Sequence, residues 1–329
     1  MSFWNTLIVP FAWLMQFCMK LVGNYALAMV LYALITKIIV LPFAIKQQKS
    51  SMAMLRLKPY QDALAKKYGS NRERYSMELQ KLYQREGYNP MGSCLPMLIQ
   101  LPLIFLIYSI VRHPITYVHY GAFYTADTAQ QIFDKVQAFG FNNFPEKIAK
   151  VFEKIASGDA AVTTISNYEL QIYDKMSDVF TIAGDKLFGF IPLSGTPNTD
   201  FWSWMLLIPI LSGATSFLFS WLNQKFSPMQ QAQDPSAAGS SKMMMYMMPI
   251  MSLYFCYTLN CALGLYWIIG NVLGIGQLFL LNKIYDPKKV LAEVEIKIEE
   301  EKNQKREKRH AAAEKKAAAI AASKKSKKN

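Results

Sequence analysis

"YALITKIIVLPF", residues 32–43, is an apolar run interrupted by Thr36 and Lys37. A lysine at the centre of a membrane helix costs roughly 2.5–3.5 kcal/mol on insertion scales, so a chain that keeps one there ordinarily has a use for it. The fold depends on whether this run crosses a bilayer. Its surroundings, 24–45, reach the ~20 residues that span a ~30 Å hydrocarbon core. Blocks of similar length follow at 94–112, 202–221, 243–260 and 263–282, the last two separated only by a tight turn. The apolar residues are gathered in these blocks instead of alternating as in a soluble domain. The pattern predicts an all-α polytopic membrane protein with a five-span helical core.

A sixth apolar stretch, "FWNTLIVPFAWLMQFCMKLVG" at 3–23, lacks the basic start and cleavage site of a signal peptide. Trp4, Trp13, Pro10 and Gln16 favour an interfacial amphipathic helix over 1–23, with a sixth span as the alternative.

Loop charge sets the orientation. Residues 46–93 hold ten Lys/Arg against four Asp/Glu, and the tail 283–329 holds fifteen against eight. The long loop 113–201 holds six Lys against ten Asp/Glu. Lys/Arg-rich flanks stay in the cytoplasm, so the first loop and the tail are inside. Alternation then puts the N-terminus and the insertion 113–201 outside. Within 46–93, two helical patterns flank Gly69-Ser70-Asn71, predicting a cytoplasmic helical hairpin that Asn89-Pro90 ends. The remaining connection, 222–242, is a cytoplasmic loop.

Depth then sorts the polar residues. Lys37 lies about 20 Å from the outer end of its span at 1.5 Å per residue, in the cytoplasmic half. Gln100 enters the second span from the cytoplasm; Ser212, Thr215 and Ser216 share one face of the third, in its inner half. Asn271 sits near the middle of the fifth span, with Gln277 inward of it. Three readings stand for this set. The residues line a water-filled recess open to the cytoplasm, or the lysine snorkels to head groups, or the hydroxyls bond between packed helices.

Several function classes fit poorly. None of the five spans contains Asp or Glu, which ion-coupled transport usually needs, and a half-depth recess is a poor conduit for a transporter or channel. The four cysteines and three histidines show no metal-ligand spacing, and no nucleophile–base pair marks a membrane enzyme. No cofactor is expected. The fourth span opens with "KMMMYMMPIM", six methionines between 243 and 251, which suits ordinary lipid-facing or core packing or an adaptable apolar surface.

"SSMAMLRLKPYQDALAKKYGSNRERYSMELQKLYQREGYNPMGSCLPMLIQLPLIFLIYSIV", from Ser50, resembles the YidC family of membrane-protein insertases, related to the thylakoid and mitochondrial oxidase-assembly insertases. "FSPM", "KMMMYMMPIM" and "GLYWIIGN" resemble the family's later spans and their link. The resemblance covers about two-thirds of the chain. It implies a hydrophilic groove among five spans, open to cytoplasm and lipid and sealed outside, in a bacterial cytoplasmic membrane. It also implies an insertase and chaperone that is not an enzyme. The family's positive charge in the first span, often arginine, is Lys37 here. Lysine keeps the charge but loses the planar five-donor fork. One turn earlier the sequence has Ala33, without a hydroxyl, whereas Gln100 and Tyr266 match family positions and Trp267 replaces a frequent tyrosine. The implied partners are nascent membrane proteins, the lipid bilayer, the ribosome through 283–329, the Sec translocon and the signal recognition machinery. A basic tail suits rRNA and anionic lipid equally well. Residues 120–190 have no counterpart in the resemblance and read as a small external unit.

Overall fold

The computed structural model describes residues 3–89, 95–121, 125–199, 203–228 and 238–326, all predominantly helical. Helix α1, Phe3–Val22, turns at Gly23 into α2, Tyr25–Tyr68. Ile8, Ala12, Met15 and Cys18 form the packed face of α1, while Val9, Trp13, Phe17 and Leu21 form an exposed apolar face at four-residue spacing. The chain therefore covers one side of this helix and leaves the other, equally apolar, uncovered.

The 44-residue helix α2 does not break at residue 45, where the first span was expected to give way to the hairpin. Ala44 to Gln48 offer no cap or glycine, so nothing stops propagation. Pro42 and Pro59 each remove one donor without ending the helix. A turn at 69–71 leads to α3, Arg72–Arg85, whose N-cap Asn71 accepts from Arg74 N at 3.0 Å. Helix α4, Leu95–Arg112, runs into Pro114 and a π-helical turn, Ile115–His119.

The insertion builds α5, Ala126–Phe139, α6, Glu146–Ala156, and α7, Glu169–Lys175. A two-residue antiparallel pair follows, β1 (Lys186–Leu187) with β2 (Ile191–Pro192), in the register Lys186 opposite Pro192 and Leu187 opposite Ile191. Ile132, Val136, Phe152, Ile165, Ile172 and Phe180 are buried in its centre, and this core is continuous with that of the helices.

Four more helices complete the chain: α8, Leu207–Phe226, α9, Ala238–Thr258, α10, Cys261–Ile284, and α11, Pro287–Ser326. Helix α10 is central, packing on α2, α4, α8 and α9. Gly264 makes its contact with α8 possible, because a Cβ there would meet Ile208 and Cys256. Helix α11 lies along the second half of α2, where Tyr60 Oη donates to Glu301 at 3.2 Å. Among the described residues, three helical stretches are long and apolar enough to cross a membrane, at Tyr25–Tyr68, Trp204–Phe226 and Cys261–Glu314.

Helix α8 divides cleanly. Ile208, Pro209, Ser212, Gly213 and Ser216 are buried against its neighbours. On the other side Trp204, Leu207, Leu211, Ala214, Leu218 and Trp221 are exposed at alternating three- and four-residue steps, an uncovered apolar stripe with an indole at each end. The two indoles are 17 residues apart in sequence, which is about 26 Å of helix and close to the thickness of a hydrocarbon core.

The insertion is fastened to the bundle by backbone. Tyr25 N and Ala26 N, the first donors of α2, bond to Ala183 O (2.7 Å) and Gly184 O (3.2 Å). Cys261 N and Ala262 N, the first donors of α10, bond to Gly195 O and Leu193 O, both at 2.8 Å. These are amides that no intrahelical carbonyl can reach. The N-caps Asn24 and Asn260 satisfy the next donors, on Leu27 and Leu263. Gly184 is required twice over, by its φ of +73° and because a Cβ would run into Asn24.

A carboxylate makes the third fastening. Glu169, fully buried, accepts from Thr116 N (3.0 Å) and Thr116 Oγ1 (2.6 Å) at the π-helical turn. Burial pushes its pKa up from 4.5 to about 7, against the opposing pull of the Thr116 and Ile115 hydrogen bonds. A raised carboxyl pKa means that the folded state holds the proton more tightly than the unfolded chain. Stability contributed here is therefore greatest at low pH and falls as pH rises from 4.5 through about 7. Amide exchange at Ile115–Tyr117 should accordingly be slower at pH 5 than at pH 8, after correction for intrinsic rates. Glu169→Gln should flatten that dependence; an unchanged slope would show that another group is responsible.

Candidate functional site

Helix α2 presents a buried stripe through Met29, Tyr32, Ala33 and Thr36 that resumes at Ala44 and Gln48, with no buried residue between 36 and 44. Lys37 sits on its edge, half-buried. Thr36, one residue before it, donates to Tyr32 O (2.9 Å) and Ala33 O (3.0 Å), the local back-bonding that a threonine in an apolar helix adopts. Its side chain lies beside Tyr266 of α10. The Tyr266 ring meets Tyr32 edge-on, with centroids 6.4 Å apart. Lys37 thus adjoins the point where α2 and α10 are joined, and it has no ion-pair or hydrogen-bond partner among the described residues.

The polar residues of α8 and α10 are brought together with a serine that the sequence analysis passed over. Ser252 of α9 lies 2.6 Å from Ser212 and accepts from Ser216 at 2.9 Å. Cys256 Sγ donates to Ser212 Oγ at 3.1 Å. Asn271 Nδ2 donates to Ser216 Oγ (2.8 Å) and Thr215 Oγ1 (3.2 Å). Ser212 and Ser216 were expected to line a recess; they are instead buried between three helices, each hydroxyl satisfied by a side chain. Thr215 and Asn271 are only partly buried and form the open margin of this network.

A second polar tier lies toward the C-terminal ends of α8 and α10. Gln48 Nε2 donates to Asn282 Oδ1 at 2.8 Å, and Asn282 Nδ2 donates to Phe226 O at 2.8 Å. That carbonyl closes α8 and has no intrahelical donor, so Asn282 caps one helix while joining two others. Gln277 is half-buried on α10 between Asn271 and this tier. Trp267 rests against Phe255 of α9, ring centroids 6.4 Å apart. The side chain of Gln100 and the stretch 90–94 lie outside the described residues.

Thr36, Ser252, Gln48 and Asn282 are the residues that sequence reasoning missed. Thr36 adjoins the lysine and could have been found from that alone. Ser252 directly follows the methionine-rich block 243–251, a lone serine whose sequence position does not reveal the two serines it meets. Gln48 and Asn282 are 234 positions apart, and neither is unusual by itself.

The family model for the 60Kd inner membrane protein matches residues 17–289. A protein of Chlorobium limicola named membrane protein insertase YidC is 27% identical over 288 residues, covering 85% of this chain and 37% of its own length. Membrane protein insertase YidC 2 of Listeria innocua is 27% identical over 308 residues, covering 92% of this chain and 80% of its own. A Listeria monocytogenes relative, membrane protein insertase YidC 1, is 27% identical and covers 88% and 75%. The chain therefore spans little more than a third of the length of the Chlorobium relative and most of the Listeria ones.

The serine network gives a measurable weight to the α8–α9 contact. Ser252→Ala leaves the Ser212 and Ser216 hydroxyls without their shared partner, and should cost about 0.5–2 kcal/mol in reversible unfolding in mixed micelles. Ile250→Ala, at an exposed position of the same helix, is the control for lost apolar surface. A Ser252→Ala variant as stable as the native chain would mean that packing alone holds the pair.

Proposed function

The chain belongs to the 60Kd inner membrane protein family, the YidC insertases, and we propose on that premise that it inserts nascent membrane proteins into a bacterial cytoplasmic membrane. Helices α2, α4, α8, α9 and α10 are its five spans, α1 an interfacial helix, α2–α3 a cytoplasmic hairpin and α5–α7 an external unit. The contacts of the insertion support this orientation. The starts of α2 and α10 and the turn after α4 all meet residues 169–195, so spans of alternating direction share one end.

The observation that carries the mechanism is Lys37: a cation held half-buried at the edge of the packed face of α2, close to the Tyr32–Tyr266 contact with α10 and without a carboxylate partner among the described residues. Such a group attracts an acidic or strongly polar flank of a client. Thr215, Asn271 and Gln277, partly exposed on α8 and α10, offer hydrogen bonds to the same flank, and the Ser212–Ser216–Ser252 network keeps the supporting wall in place. The client's flank crosses a shortened, partly hydrated path, while burial of its apolar segment in lipid drives the net step. A membrane potential positive outside favours the outward movement of a negative flank. The basic tail, α11, offers the ribosome an electrostatic contact, and the Sec translocon and signal recognition machinery are its natural neighbours in the membrane.

Complementation of an insertase-depleted cell tests this directly, scoring translocation of a single-span client with an acidic N-terminal tail. Lys37→Arg should support insertion and Lys37→Glu should abolish it, with Lys37→Ala strongly reduced. Equal insertion by alanine and lysine would reduce Lys37 to a snorkelling side chain.

A further inference from the structure

The hairpin β1–β2 carries a feature that insertion chemistry does not use. Its loop presents Phe188 (79% exposed) and Phe190 (50%) side by side, ring centroids 6.3 Å apart. Phe190 in turn meets Trp204 edge-on at 5.6 Å, and Trp204 is itself 67% exposed. Three large aromatic side chains thus form one uncovered patch. Phe188 has a φ of +53°, the one non-glycine residue in the left-handed region among those described. A bulky side chain avoids that region unless its surroundings hold it there.

We propose that this patch is a membrane anchor: Phe188, Phe190 and Trp204 dock the external unit onto the head-group region of the outer leaflet. The height of the patch supports a lipid surface over other occupants. Trp204 begins the uncovered stripe of α8, and Trp221 ends it one hydrocarbon thickness away, with Lys225 Nζ 5.3 Å from the Trp221 ring centroid. Indoles at both ends of an apolar stripe mark the two interfaces of a bilayer. The hairpin cannot drift from that level. Ile191 and Leu193 are buried at its base, and the carbonyls of Leu193 and Gly195 are bonded to the start of α10. Exposed Lys186, at the hairpin's other edge, suits lipid phosphates.

Photo-crosslinking of the full chain in phosphatidylethanolamine–phosphatidylglycerol proteoliposomes tests the assignment. Benzoylphenylalanine is placed in turn at Phe188, at Phe190, and at exposed Glu153 of α6 as the water-facing control, with limited proteolysis reporting that the external unit stays folded. Mass spectrometry should find lipid adducts at 188 and 190 several times more abundant than at 153. Adducts to a second copy of the chain or to a client, or no adduct above the control, would overturn the proposal. As a second reading, Phe188→Ser combined with Phe190→Ser should lower the lipid adduct formed by benzoylphenylalanine at Leu187; an unchanged yield would also overturn it.

Discussion

An apolar solvent offers no hydrogen bonds, so a backbone group at a helix end that faces it is best satisfied from within the chain. That constraint accounts for most of the specific geometry. Helix α10 would begin with unsatisfied amides; two carbonyls from the insertion and Asn260 take them up. Helix α8 would end with orphaned carbonyls; Asn282 takes one of them. Serines that would be costly against lipid are gathered where Ser252 can serve two of them. Lys37 stands apart because the described chain gives it hydroxyl neighbours and no counter-charge.

Viewed this way, the insertion is part of the bundle's end, although its helices form a core of their own. The insertion supplies the first acceptors of two helices and, through Glu169, the cap of the turn after a third. Side-chain substitutions cannot remove the backbone carbonyls concerned. The attachment thus depends on the path of residues 183–195, and so on Gly184 and on the buried Ile191 and Leu193.

The helices and their order were legible in the sequence, because blocks of apolar residues and loop charge are one-dimensional signals. The site was legible in part. Lys37 could be found because a charge in an apolar run is locally improbable, Ser212, Thr215 and Ser216 because helical spacing puts them on one face, and Asn271 because it is polar at mid-span depth. The continuity of α2 past residue 45 was not, since the change from apolar to basic composition marks a change of solvent and not of backbone. Ser252, the Gln48–Asn282 pair and Glu169–Thr116 depend on contacts between distant segments. The carbonyl caps leave no trace in side-chain identity at all.

The unbroken length of α2 makes it a mechanical part. Forty-four residues form a rod of about 66 Å, with Lys37 a little over a quarter of the way along and the α3 hairpin joined at its far end. No loop separates the hairpin from the segment of α2 that carries Lys37. Pro42, lacking the hydrogen bond that would stiffen the helix there, is the compliant point nearest the lysine. A bend there would change the angle between the hairpin and the segment of α2 that carries Lys37.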